Sequence, residues 1–290
     1  MNPTRPNPAG GILYVVATPI GNMGDITYRA VDVLQNADLI AAEDTRNTAR
    51  LLARYAVETP LISCHEHNES QRIALLLQKL ESGRQLALVS DAGTPMVSDP
   101  GYRLVAAALD AGIKVVPIPG ACAAVAALSV SGLAVDSFCF AGFVPKKKKQ
   151  RQELLTRLAG ARQTLIFYES PRRVEALLQD LIDYLGNRPA VVAREITKRY
   201  EEFLRGSLSE LRDEINRRES IKGEITVLVS GFTEDSRDTG QVDREIQYEI
   251  ETALAGQTVS PSQLAAELAR KYRLPKGRIY KMIVEIQKNR

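Results

Sequence analysis

The sequence predicts two α/β units followed by a small helical domain, and three observations carry that reading. Between Ile12 and Pro119, apolar runs alternate five times with stretches of helical spacing. Those runs are continuous rather than alternating, the pattern of strands in a parallel sheet with helices on both faces. Beyond residue 242 the spacing becomes helical throughout. At 290 residues and 44% apolar composition, the chain is large enough to fill ordinary cores in such units.

In chain order, ILYVVA reads as the first strand, with a helix from Thr27; DLIAAE follows, with a helix from Thr45; then LISC, with a helix from Asn68. LALVS precedes a helix opened by Asp99 as N-cap and Pro100 in the first turn, and KVVPI precedes an alanine-rich helix from Ala121. Residues 12–130 are therefore expected to form a doubly wound N-terminal domain, after a leader, 1–11, that is expected to be disordered. The segment SGLAVDSFCFAGFVP breaks the helical period and opens a second domain, 131–231. Here SFCFAG, TLIFYES, AVVARE, EEFLRG and GEITVLVSG read as strands, with helices over Gln150–Ala159 and Pro171–Leu185. Three strands in near succession predict a mixed sheet with antiparallel pairing. Polar, glycine-containing residues 232–242 read as a linker, and 243–290 as three helices, over Asp243–Ala255, Pro261–Tyr272 and from Pro275.

Composition narrows the class. No apolar stretch approaches the roughly 18 residues of a membrane span, and the leader lacks a secretory signal's apolar core. Cys64, Cys122 and Cys139 are far apart and show no metal-ligand spacing, so a reduced, cytoplasmic protein without a metal is expected. The net charge of +3 names no partner, but its distribution is uneven.

The most informative stretch is Ser90–Pro100, SDAGTPMVSDP. It leaves a buried strand and puts Asp91, Gly93, Thr94 and Pro95 where open α/β sheets bind ligands. The first loop, TPIGNMGD, which contains Asn22, has G-x-x-G rather than the dinucleotide G-x-G-x-x-G, and no phosphate-loop lysine follows. Glu43-Asp44-Thr45-Arg46 reads either as a helix start, with Thr45 as N-cap and a local ion pair, or as substrate-gripping and proton-accepting groups. His65-Glu66-His67-Asn68-Glu69 holds both histidines and reads as a polar, substrate-contacting rim or as a helix start from Asn68 and Gln71; metal binding is the weaker alternative. Lys146, Lys147, Lys148, Lys149 and Arg151 form a basic run, and Arg172 and Arg173 follow the aromatic strand with Phe167 and Tyr168. Arg270, Lys271, Arg273, Lys276, Arg278 and Lys281 cluster around the turn of a helix-turn-helix-like tail. Each basic group is either a solvated face or a phosphate contact.

Taken together and in order, TPIGNMGDIT, AAEDTRNT, HEHNE, LVSDAGTPMVSDPGY, PIPGACAAVAALSVSGL, GFVPKK, TLIFYESPRR, AREITKRYEE and GEITVLV resemble the small-subunit ribosomal RNA 2′-O-ribose methyltransferases of the tetrapyrrole methylase superfamily. The resemblance runs from Ile12 to Ser230 and extends more loosely over the basic tail. It implies the two-domain, tetrapyrrole methylase-like (class III methyltransferase) fold with a small C-terminal helical domain. It also implies S-adenosylmethionine bound between the domains, a homodimer, and a cytidine ribose in the decoding region of 16S rRNA as substrate, within the small subunit or a precursor.

Carried over from that family, cofactor contacts fall on Asp91, Ala92, Gly93, Thr94 and Pro95, on Pro119, Gly120 and Ala121, and on Phe167 and Ala193. Asp44 or Glu43 is then the proton acceptor or orients the hydroxyl, Arg46 holds a phosphate or the partner carboxylate, and Glu69 and Glu195 are reserves. Substrate contact is expected at Asn22, His67, Lys146–Lys149, Arg151, Arg172 and Arg173. The alternatives are a methyltransferase of a tetrapyrrole-like small molecule, a non-catalytic RNA-binding assembly factor, and a nicotinamide oxidoreductase.

Overall fold

A computed structural model describes residues 10–65, 68–233, 239–255, 260–272 and 276–288. Strands β1 (Ile12–Val16), β2 (Leu39–Ala42), β3 (Leu61–Ser63), β4 (Gln85–Val89) and β5 (Lys114–Ile118) form one sheet in the order β3-β2-β4-β1-β5, with every neighbouring pair parallel. Helices α1 (Tyr28–Asn36) and α2 (Thr45–Arg54) cover one face, where Ala30, Leu34 and Leu52 pack with Val16, Ile40 and Ala87. On the other face, α3 (Glu69–Glu81) and α4 (Tyr102–Asp110) bring Leu76, Leu80, Leu104 and Ala108 to Leu13, Ala41, Leu86 and Leu88. In the inner strands β1, β2 and β4, successive residues alternate between two buried faces, which is why these runs carry no polar alternation.

The chain leaves β1 for β2 on one side and leaves β4 for β5 on the other, so the neighbours β1 and β4 mark the switch point of the sheet. Their following loops are joined there: Thr18 and Gly93 exchange backbone hydrogen bonds of 2.9 and 3.1 Å.

Helix α5 (Ala123–Ser129) follows β5 and leads to the second sheet, built from β6 (Phe138–Phe143), β7 (Thr164–Glu169), β8 (Pro189–Arg194), β9 (Glu202–Ser207) and β10 (Ile225–Val229). Its order is β6-β7-β10-β8-β9, with β6 parallel to β7 and the remaining pairs antiparallel. Helices α6 (Lys148–Leu158), α7 (Val174–Leu185) and α8 (Leu208–Asn216) pack on one face with Leu165, Phe167, Val192 and Val227. The opposite face carries Ile166, Val191, Ala193 and Leu228 and receives Ala124, Ala127 and Leu128 of α5 together with Ile20. This shared apolar cluster couples the two sheets. Helices α9 (Thr239–Ala255), α10 (Pro261–Tyr272) and α11 (Lys276–Lys288) have their own small core around Ile246, Ile250, Leu264, Leu268, Ile279 and Ile283.

Several local expectations need correction. Thr45 is not the cap of α2: Asp44 is, its carboxylate accepting from Arg46 N at 2.8 Å. Asn68 stands at the start of α3 but does not cap it, because its Oδ1 accepts from His65 N instead. Asp99-Pro100 does not open α4, which begins at Tyr102 behind Gly101. Gly101 has φ +120°, and a Cβ there would lie 2.9 Å from Leu88 Cδ2, so the last turn of the loop belongs to a glycine rather than to an Asp cap. The alanine-rich helix starts at Ala123, behind Cys122.

Helix α8 is absent from the sequence reading although its capping box, Ser207 with Glu210, is a recognisable start signal. The linker expected over 232–242 is interrupted at both ends: Phe232 donates its N–H to Ala161 and lies 5.4 Å from the buried Arg188 guanidinium, while α9 begins at Thr239. Of the leader, residues 1–9 lie outside the described residues, and Gly11 is an ordered contact whose N–H meets Leu80 O at 3.0 Å.

Candidate active site between the two sheets

A cavity of about 390 Å³ opens at the carboxyl ends of β1 and β4 and is closed on its far side by the second sheet. From the first unit it is lined by Ile20, Glu43, Asp91, Ala92, Gly93, Thr94, Val97, Ser98 and Asp99, and at the entry to α5 by Cys122 and Ala123. From the second unit come Phe143, Tyr168, Glu169, Ser170, Pro171, Ile196 and the Gly223–Thr226 stretch. A bulge between Phe140 and Gly142, with Gly142 at φ +63°, turns Phe143 into this wall.

The loop after β4 lines the cavity through Asp91, Ala92, Gly93 and Thr94. Asp91 is oriented through both oxygens, Oδ1 accepting from Asp44 N at 3.0 Å and Oδ2 from Asn47 Nδ2 at 2.9 Å. Gly93, at φ +82°, lets the backbone run against Ile20, and Thr94 Oγ1 donates to Ala121 O at 3.1 Å. That bond ties the β4 loop to the Pro119–Ala121 turn, while Gly120 packs on Ala17, where a Cβ would come within 2.9 Å. Pro95 and the 119–121 turn stand behind the lining rather than in it.

Phe167 and Ala193 are fully buried, Phe167 in the core on the far face of the second sheet and Ala193 in the cluster under α5. Strand alternation puts Tyr168 in the wall instead. Its hydroxyl accepts from Ala124 N at 3.0 Å and its ring meets Phe140 and Phe143 edge-on.

The four carboxylates proposed for proton transfer have quite different surroundings. Glu43 faces the cavity, and its Oε2 accepts from Asp91 N at 3.3 Å. Burial, reinforced by the charges of Asp91 and Asp44, holds its carboxyl above the ordinary range against that hydrogen bond. Asp44 is paired with Arg46 through two bonds, Nε to Oδ1 at 3.1 Å and Nη2 to Oδ2 at 2.7 Å, which pull it down to about 2.

Glu69 is buried away from the cavity, accepting from Arg103 N and Leu104 N at 3.1 and 3.2 Å; it supplies the cap that Gly101 cannot give α4. Glu195 accepts from Glu224 N and pairs with Lys198, both at 3.0 Å. One group was missed by the sequence reading: Asp99, taken for a helix cap, lines the cavity, and burial with the nearby Glu43 charge raises it to about 6.

Of the expected substrate contacts, Asn22 is exposed beside the cleft and Lys146–Lys149 are exposed where α6 begins. Arg151 is engaged with Asp180 at 2.6 Å, and Arg173 with Glu169 at 3.2 Å, while Arg172 is exposed. His67 lies outside the described residues. In the tail, Lys271 is held by Glu249; Arg273 and the side chains of Lys276, Arg278 and Lys281 lie outside what is described.

Residues 12–212 match the tetrapyrrole (corrin/porphyrin) methylases. The chain belongs to the tetrapyrrole methylase family. Within this family it is 46% identical to a ribosomal RNA small subunit methyltransferase I of Synechocystis, over 96% of this chain and 99% of that one. It is 47% identical to the protein of that name from Vibrio cholerae, over 98% of both chains.

Solved tetrapyrrole methylases share the fold at lower identity. A uroporphyrin-III C-methyltransferase from Thermus thermophilus complexed with S-adenosyl homocysteine aligns with TM-score 0.55 and 20% identity, over 75% of this chain and 97% of that one. A cobalt precorrin-4 methyltransferase aligns with TM-score 0.58 and 18% identity, over 76% and 94%. Like other members of the family, this chain is a methyltransferase. The Synechocystis and Vibrio cholerae relatives span nearly its full length, whereas these two solved structures cover about three quarters of it.

Proposed function

We propose that the cleft binds S-adenosylmethionine and that the enzyme methylates the 2′-hydroxyl of a cytidine ribose in the decoding region of 16S ribosomal RNA. The observation that carries the cofactor is the charge of the cavity: Glu43, Asp91 and Asp99 line it together with Glu169 and Glu224, which Arg173 and Lys198 pair from outside, and no lysine or arginine is among the described lining residues. An S-adenosylmethionine molecule carries a sulfonium and an ammonium against one carboxylate, so this field attracts it. A nicotinamide dinucleotide brings phosphates, which the same field repels. Asp91, fixed by Asp44 N and Asn47, presents oriented acceptors, and Gly93 permits close backbone approach. Ile20, Val97, Phe143, Ile196 and Ile225 supply apolar walls for a planar base.

When bound, S-adenosylmethionine supplies an electrophilic methyl carbon; the chain's own work is to position the ribose and take its hydroxyl proton. Glu43 is the acceptor we retain. It faces the cavity with a raised carboxyl, whereas Asp44 is neutralised by Arg46, and Glu69 and Glu195 are committed to backbone N–H groups. The small-subunit RNA as substrate rests on the full-length similarity to the curated relatives. We assign 12–130 and 131–231 as the two walls of the cleft and the helices beyond residue 242 as an RNA-binding addition.

The protein acts in this reading as a cytoplasmic homodimer on the small subunit or its precursor. Exposed Phe138 on edge strand β6 and exposed Val130 and Val135 before it offer an apolar contact surface. No helix among the described residues is long and apolar enough to cross a membrane.

The test uses purified protein, labelled S-adenosylmethionine and small subunits from cells lacking this gene, followed by nuclease digestion and mass mapping. One 2′-O-methylcytidine is expected. Label entering a tetrapyrrole but no RNA overturns the substrate, and absence of S-adenosylmethionine binding in titration calorimetry overturns the cofactor.

A further inference from the structure

A second cavity, of about 250 Å³, lies beside the cofactor cleft and shares Ile20, Asp91, Ala92 and Glu224 with it. Its charge differs. Arg50 of α2 and Lys198 of the loop after β8 stand in its wall, near Asn47. On α2, Arg46, Arg50 and Arg54 recur four residues apart and so share one face. Arg46 is bound by Asp44, whereas Arg50 is exposed and has no acidic partner among the described residues.

The opposite wall is held in place by its backbone. Glu195 and Thr197 both take left-handed conformations, φ 51° and 66°, unusual for residues with side chains. Lys198 is anchored by Glu195 at 3.0 Å and Glu224 at 3.2 Å. The loop after β1 meets this wall closely: Asn22 N donates to Thr197 Oγ1 at 3.1 Å, and a Cβ on Gly21 would lie 2.4 Å from Lys198 Cγ. Loops from both units thereby form one floor.

The chemistry of RNA makes such a place necessary. The 2′-hydroxyl is on the carbon next to the one bearing the 3′-phosphate, so a strand that delivers this hydroxyl to the cleft brings an anion to its edge. Glu43, Asp91 and Asp99, the cleft carboxylates without a lysine or arginine partner among the described residues, repel that anion. Cations in the adjoining cavity, Arg50 without an acidic partner among the described residues and Lys198 at the seam with the cleft, relieve the conflict.

We propose that Arg50 and Lys198 bind the backbone phosphate adjoining the methylated ribose. The assignment rests on the RNA reading above and adds the residues that seat the nucleotide.

Methylation of small subunits is measured over a salt series for the wild type, Arg50→Ala, Arg50→Lys, Lys198→Gln and Lys114→Ala, the last removing an exposed charge at the opposite end of the first sheet. Arg50→Ala is expected to raise KM for the subunit about tenfold, the scale of one charge-assisted hydrogen bond, with S-adenosylmethionine affinity unchanged. It also lowers the log–log salt slope by about one. Arg50→Lys recovers most of the loss, Lys198→Gln moves in the direction of Arg50→Ala, and Lys114→Ala changes neither quantity. Wild-type KM and salt slope in Arg50→Ala, or an equal loss of S-adenosylmethionine affinity, overturns the phosphate site while leaving the methylation itself standing. A wild type that does not methylate the subunit removes both.

Discussion

Glu43 and Asp44 are adjacent in the chain and both partly buried, yet their environments push them apart: one lies among like charges, the other is doubly bonded to Arg46. Glu43→Gln is therefore expected to slow single-turnover methyl transfer by about 10²- to 10⁴-fold, with S-adenosylmethionine affinity nearly kept, and to abolish the acid limb of the pH–rate profile. An unchanged rate removes Glu43 as proton acceptor. Asp99 makes a second prediction. It is ionised above about pH 6, where its negative charge favours the cationic cofactor, so S-adenosylmethionine affinity measured by calorimetry falls as pH drops through 6, and Asp99→Asn flattens that dependence.

The stability effect has the opposite sign. The native state holds the Asp99 proton more tightly than the unfolded chain, so this group's contribution to stability is lost as pH rises from the ordinary aspartate range through about 6, and Asp99→Asn is expected to raise Tm at pH 7 more than at pH 4. None of this is visible at residue level in the sequence, where Asp99-Pro100 reads as a helix opening. Local propensity identifies a cap, but only the packed loop reveals that the carboxylate has turned into the cleft.

Among the elements, α4 shows how tertiary structure completes what a local segment lacks. Gly101 cannot cap the helix with a side chain, and Glu69 from the start of α3 reaches across to Arg103 N and Leu104 N. Replacing Glu69 with Ala should cost about 1–3 kcal/mol in urea unfolding, because two buried N–H groups lose their acceptor. Glu69→Gln, which keeps an acceptor oxygen, should cost less, and methyl transfer per folded molecule should survive both. Loss of turnover in a folded Glu69→Gln protein would return this residue to the catalytic set.

The inner strands of the first sheet were readable because two buried faces demand continuous apolar runs. Helix α8 carries its S-x-x-E start signal at Ser207–Glu210, directly behind the strand run EEFLRG, so strand and helix signals meet within a few residues. In β7, alternation sends the side chain of Phe167 to the core and that of Tyr168 to the cleft.

For the whole molecule, the cleft exists because α5 belongs to both units, extending from β5 while packing beneath the second sheet. The tail is different, with a separate small core. Deleting residues 243–290 is accordingly expected to weaken ribosomal RNA methylation more than S-adenosylmethionine binding, as read by subunit KM against calorimetric affinity; equal losses would mean that the tail supports the fold of the cleft.

By itself, the sequence determined the alternation of strands and helices, the loop at the carboxyl end of β4 and the ordered motifs of a methylase, because these depend on local periodicity and short-range spacing. Only the tertiary structure decided which carboxylate faces the cavity, that Asp99 joins it, and that Arg50 and Lys198, 148 residues apart by their numbering, share one wall. Charge, burial and hydrogen-bond partners are set by neighbours distant in the chain, and those neighbours meet only when the two sheets close around α5.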